Sequence, residues 1–147
     1  VEIRLAGRAY NLKLSSSAIG VYFDDNRHRI QGKDYVSLLQ VSDSNPEAPE
    51  GRCGAGREVW LSVYEEKNLQ LEERLKVLVS SCIHSILLAS QNTGAEDQDT
   101  DFSSVSWSAH GISIGWFQNI DATGRSLAQT NYFVRNGAFF SNDTTRN

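Results

Sequence analysis

The sequence predicts an α+β fold: one or more mainly antiparallel β-sheets with one principal helix packed on a face. Three observations lead there. Period-two segments recur through the first half of the chain, and residues 105–140 read as a series of strands joined by turns. One stretch departs from that period: Leu71, Leu75, Leu78, Val79 and Cys82 stand at helical spacing, with Glu72, Glu73, Arg74 and Lys76 on the other face. Nothing divides the 147 residues, so 1–147 is expected to be a single domain with a frayed polar tail at 142–147.

Taken in order, residues 1–5 and 10–14 alternate in opposite parity, so Ala6-Gly7-Arg8 is expected to be a turn or bulge between two strands. Ser15-Ser16-Ser17 ends that unit. Residues 20–23 form a short third strand, Asp24-Asp25-Asn26-Arg27 supplies turn chemistry, and residues 35–41 form a fourth strand. Residues 42–56 carry both prolines and three glycines and read as a long loop. Residues 59–64 are a strand, which Glu65-Glu66-Lys67-Asn68 ends. Asn68 is placed to cap a helix running from residue 69 to about 81, with acids in its first turn, where the helix dipole favours them. Residues 83–90 fit either more helix or a strand. Strands are expected again at 105–109, 112–117 and 127–135, with a hairpin loop at 121–125. Asn136-Gly137 signals a type I′ turn into a last strand at 138–140.

The totals exclude several classes. A net charge of -4 and a pI near 5.3 argue against nucleic-acid binding, which needs a basic patch. No apolar run approaches the ~20 residues that cross a membrane, and no signal-peptide pattern is present. The chain has no Met and opens at Val1 in strand-like sequence, as a processed mature chain or a trimmed one would. Its two cysteines are Cys53, in a Gly-rich loop, and Cys82, in an apolar run. Their even number and the lack of a Cys-x-x-Cys favour a disulfide over a reactive thiol. Such a bridge would contribute roughly 3.5 kcal/mol by loop closure. It would imply an oxidising compartment, periplasmic or otherwise secreted.

Catalytic and metal motifs are weak. Cys82-x-His84 would share a strand face as a thiol–imidazole pair, and Ser108-x-His110 repeats the spacing. No Gly-x-Ser-x-Gly elbow is present to expose a serine, and the disulfide reading uses Cys82, so no catalytic residue is assigned. His28, His84 and His110 are too scattered for a zinc site. Asp97-x-Asp99-x-Asp101 opens like an EF-hand loop. Phe102, however, stands where that loop needs Gly, and Ser108 where it needs a bidentate Glu. An irregular calcium site stays open, but no metal or cofactor is assigned. The three glycines of residues 51–56 lead into a strand, so they are not a phosphate cradle. Asn142-Asp143-Thr144 is a glycosylation sequon, meaningful only in a eukaryotic secretory protein.

Residues 92–107 are the longest polar run, with four acids and no base. A loop of this length in a compact domain is usually functional or disordered. The candidate partner-binding residues are Asp97, Asp99, Asp101, Phe102, Ser103, Ser104 and Trp107. The adjacent ring pairs Tyr22-Phe23, Trp116-Phe117, Tyr132-Phe133 and Phe139-Phe140 point to opposite faces of their strands. Either both faces are buried or one ring of each pair contributes to an aromatic binding face.

Three segments carry a resemblance: Ile3-x-Leu5-x-Gly7-x-x-Tyr10-x-Leu12, Asp121-x-x-Gly124-Arg125, and the Asn136-Gly137 turn. Together they resemble periplasmic immunity proteins that neutralise the peptidoglycan-hydrolase effectors of type VI secretion. The resemblance implies toxin neutralisation by protein–protein interaction, in which a loop inserts into the effector's active-site cleft. It fixes no residue position by position. Small polar groups such as Ser103 and Ser104 would occlude the cleft, and Asp97, Asp99 and Asp101 would steer a basic partner. Two other readings stand beside it. One is a small Cys/Ser–His hydrolase. The other is a carbohydrate or cell-wall binding module with Trp107 and Trp116 as stacking platforms.

Overall fold

The computed structural model describes residues 2–5 and 7–146. The expectations for residues 1, 6 and 147 lie outside them. The described residues form three antiparallel sheets, and the architecture is all-β rather than α+β. The only helical turns among them are two three-residue 3-10 turns, Ala89–Gln91 and Gln98–Thr100.

The first sheet is built on β5 (Lys33–Asp43) and β6 (Arg57–Lys67). It runs in the order β3 (Ala18–Phe23), β5, β6, β7 (Gln70–Ser81), with β4 (His28–Ile30) pairing β5 beyond the end of β3. β5 and β6 read as nearly continuous apolar runs because they are buried on both faces. Tyr35, Val59, Leu61 and Val63 face the second sheet. Val36, Leu38 and Tyr64 face a hairpin of β1 (Glu2–Leu5) and β2 (Arg8–Asn11), whose Ile3, Leu5 and Tyr10 cover them.

The second sheet has β10 (Gly111–Gln118) and β11 (Leu127–Arg135) at its centre and β12 (Ala138–Thr145) at one edge. Two short strands, β8 (Leu87–Leu88) and β9 (Val105–Trp107), share the other side of β10. Ile112, Ile114 and Trp116 point inward onto the first sheet. Each fully buried side chain of this size contributes about 1.5–3 kcal/mol. Residues 142–145, expected to fray, belong to β12 and pair with β11. Residues 83–90 are neither one helix nor one strand: a turn, a bridge from Ile86 to Ser81, β8 and a 3-10 turn follow in succession.

The predicted helix at 69–81 is β7. Leu71, Leu75 and Val79 stand four apart, a step that satisfies period two as well as 3.6. Two bulges break the alternation that marks a strand: the register skips Val79 opposite Val59 and Trp60, and Arg74 opposite Val63 and Tyr64. Asn68 is not a helix cap but, with Leu69, the corner of a tight hairpin, at φ 54° and 64°. That is type I′ geometry, with Leu where glycine is favoured. Glu65 and Glu66 do not end β6. Glu65 lies 3.5 Å from both Lys33 Nζ and Arg74 Nε, and Glu66 pairs with Arg27 at 2.9 Å and with Arg8.

Cys53 and Cys82 form a disulfide, with Cα atoms 5.8 Å apart. It ties the long loop at 44–56 to the end of β7; Ser42 and Asp43, expected in that loop, belong to β5 and pair with Glu58 and Arg57 of β6. Glu58 secures the same corner, accepting hydrogen bonds from Ser44 and Ser81 and from the Cys82 N–H at 3.0 Å. A disulfide of this kind fits an oxidising, exported environment. No helix among the described residues is long and apolar enough to cross a membrane.

Two predictions follow from this packing. Leu69 is 70% exposed and left-handed, so Leu69→Gly is expected to stabilise the protein by up to about 1 kcal/mol in urea unfolding; a loss of stability would contradict the turn. Glu66 supplies the second. Burial alone would raise its carboxyl. Hydrogen bonds from Tyr10 and Arg27, with the charges of Arg27 and Arg8, outweigh burial and hold it below the ordinary value of 4.5. Its contribution is complete above that value and is lost as pH falls through the lowered one. Glu66→Gln should therefore give a shallower acid limb in stability against pH, whereas an unchanged limb would remove Glu66 from the acid response.

Candidate functional site

The acidic loop is tied to the sandwich by hydrogen bonds with Ser90, Gln91 and Gly115. Ser90 Oγ donates to the Asp101 carbonyl at 2.7 Å, and the Ser104 N–H donates back to Ser90 Oγ at 3.2 Å. The Ser90 N–H donates to Ser104 Oγ at 2.8 Å, and Gln91 Nε2 to the Asp99 carbonyl at 3.0 Å. The Gly115 N–H, on β10, donates to the Ser104 carbonyl at 3.0 Å. Ser90 and Gln91 are buried, so these bonds satisfy backbone groups that water does not reach freely. Within the loop, Asp101 Oδ1 accepts the Ser103 Oγ–H at 2.6 Å and the Ser103 N–H at 3.0 Å. Those two bonds, the side-chain one first, hold its carboxyl below the usual range.

The loop faces the β3 edge of the first sheet. Phe102 meets Tyr22 edge-on, with centroids 5.1 Å apart. Both rings line each of two neighbouring clefts, of about 540 and 500 Å³. The larger is lined by Asp24, His28, Ser37, Ser103 and Trp107. Arg57, Cys82, Gln91 and Asp99 line the smaller. In the larger cleft, His28 Nε2 lies 2.6 Å from Asp24 Oδ2, and its ring stacks on Trp107 at 4.1 Å with 6° between planes. Trp107 Nε1–H donates to Ser37 Oγ at 3.1 Å. The imidazole is thus oriented from its edge by a carboxylate and from its face by an indole. Beside the cleft, β3 exposes Ile19 by 57%, Tyr22 by 43% and Phe23 by 45%. The ensemble offers aromatic walls, hydroxyls and carboxylates, which suits a protruding polar or cationic group.

The structure divides the seven predicted partner-binding residues. Phe102, Ser103 and Trp107 come together in the larger cleft, and Asp99 lines the smaller. Asp97 is exposed on the loop, and Asp101 is half-buried. Ser104 is a pin for the loop, through its bonds with Ser90. Among the described residues, no three His, Cys, Asp or Glu side chains converge, those of Asp97, Asp99 and Asp101 included. Tyr22 belongs to one of the ring pairs from which the sequence offers an aromatic binding face, whereas the sequence does not single out Asp24, His28 or Ser37 for this cleft. The only local signal for them is the Asp24-x-x-x-His28 spacing, and pairing across sheets is what brings them to Trp107.

The other candidate chemistries change as well. Cys82 is bridged and His84 is exposed, so that pair offers no thiol. Ser108 and His110 are both exposed, and they meet through the His110 backbone N–H rather than its ring. Trp116 is 2% exposed and donates to Thr130 Oγ1, and the Trp107 face is covered by His28, so neither indole presents the expected stacking platform. The fold and site define a disulfide-stapled β-sandwich with an acidic loop fastened across its open edge. No protein family matches the chain, and neither does any curated protein or any solved structure.

Ser90→Ala removes the hydroxyl that ties Asp101 to Ser104. The amide of Ser104 is expected to exchange faster with deuterium, by an amount worth about 1–2 kcal/mol, while β10 and β11 amides keep their protection. Unchanged exchange at residue 104 would show that the loop is held some other way.

Proposed function

We propose that this protein is an exported inhibitor of the immunity type, which binds a cell-wall-degrading enzyme and blocks its active-site cleft. The observation that carries the reading is the exposed aromatic edge of β3 lying beside a fastened acidic loop. Protein-binding hot spots favour Tyr and other large rings at the centre and charge at the rim. Tyr22 and Phe23 supply the centre, and Asp97 and Asp99 the rim. A loop already held in place loses little conformational freedom on binding. The disulfide supports export. Inhibition by occlusion needs no catalytic group of its own, only a shape that enters the cleft. Ser103, exposed at the loop's crest, is the residue best placed to enter.

The test is hydrolysis of purified peptidoglycan by cell-wall amidases, peptidases and muramidases, each with and without this chain. Stoichiometric inhibition of one class is expected. No inhibition of any class at a large excess of the chain would overturn the reading. Within an inhibited pair, changing Asp97, Asp99 and Asp101 to Asn should slow association and flatten its salt dependence. Equal rates at all salt concentrations would remove the steering role.

A further inference from the structure

The outward face of the second sheet lies away from the cleft and has a composition of its own. Ile112, Ile114 and Trp116 point inward, so Ser113, Gly115 and Phe117 of β10 point outward. By the same alternation and register, Gln129, Asn131 and Phe133 of β11 point outward, as do Phe140, Asn142 and Thr144 of β12. Continuing the alternation, Arg135 of β11 and Ala138 of β12 also point outward, and among all these positions Arg135, at the far end, is the only charged residue, in a chain where 22% of residues are charged. Asp143 points the other way, accepting from Thr130 Oγ1 at 2.6 Å.

Two features make this face more than an ordinary wet sheet surface. Its amides and hydroxyls are already aligned: Asn131 Oδ1 accepts from Ser113 Oγ at 2.8 Å and from Gln129 Nε2 at 3.0 Å. Among the described residues, Asn131 Nδ2 and Gln129 Oε1 make no hydrogen bond, so a donor and an acceptor remain for a ligand. Exposed rings mark both ends. Phe133 and Phe140 stack at 6.0 Å at one end, and Phe117 stands at the other. Phe133 pairs with Gly111, six residues before Phe117, so the rings are ~20 Å apart along the strands.

We infer that this face is a binding platform for an uncharged pyranose oligosaccharide. Sugar hydroxyls take the amide and hydroxyl ladder, and the C–H faces of the end residues lie on the rings. Nucleic acids and acidic lipids require a patch of several cationic groups, and these outward positions carry one, Arg135, at the far end. A protein partner would leave a band of neutral amides without a charged rim. The platform is separate from the inhibitory cleft and does not depend on it.

The test uses the intact disulfide-bonded chain titrated with cellohexaose, xylohexaose, maltohexaose and chitohexaose, followed by backbone amide shifts. At least one hexasaccharide is expected to shift residues 113–117, 129–133 and 140–142. Phe133→Ala and, separately, Asn142→Ala should weaken that binding at least about tenfold, and both positions are exposed enough for the fold to survive. The variant lacking the charges of Asp97, Asp99 and Asp101 should bind like the parent. No shifts with any of the four sugars, shifts confined to the Trp107 cleft, or unweakened binding in both single variants would overturn the platform.

Discussion

Burial of β5 and β6 on both faces is the constraint on which the rest depends. A sheet that is apolar on both sides needs two covers. The chain supplies a four-residue-strand hairpin for one side and a five-stranded sheet for the other. The smaller cover is held at its rim by polar chemistry, where Glu66 receives Tyr10, Arg8 and Arg27. The larger is held by apolar contact among Leu61, Val63, Ile114 and Trp116. Every strand in contact with these two is antiparallel to its neighbour, so short turns suffice almost everywhere. The longest exceptions are the 44–56 segment, closed by the disulfide, and the 89–104 segment, closed by serines.

The site follows from how the two sheets meet. The first ends at β3, an edge whose outer rings have no strand beside them. The second ends at β8 and β9, two fragments that leave a gap opposite β3. The acidic loop spans that gap, and Phe102 lands on Tyr22. A cleft between sheets is therefore a consequence of splitting one edge strand in two, and His28, carried by β4, reaches Trp107 across it. Acids on the loop stay outside because the interior below them is apolar, while the buried Ser90 and Gln91, together with Ser104, satisfy the backbone.

Much of this was legible in the residues. β6, β10 and β11 stood out by alternation, the Asn136-Gly137 turn by its dipeptide at φ 53° and 80°, and the Cys53–Cys82 bridge by parity of count. The illegible part has definite causes. β7 carries two bulges and a Leu69 in place of a turn glycine, so its leucines mimicked a helix. Glu65 and Glu66 looked like a break because their cationic partners, Lys33, Arg74, Arg8 and Arg27, come mostly from other strands. β12 looked like a tail because its outward residues are polar and its partners lie on β11. Of the site, the loop half was visible as an acidic run. The β3–β4 half was not, since nothing local in Tyr22, Asp24 or His28 foretells Trp107.

The acidic loop is a rigid part of the sandwich, held ready beside the β3 edge. Backbone ¹⁵N relaxation of the free protein tests it most directly. Residues 97–104 should show order parameters near 0.85, about the value of rigid backbone such as the neighbouring strands. Values below about 0.6 across the loop would contradict the account, because the cleft and the face built on it would then not exist in the unbound protein.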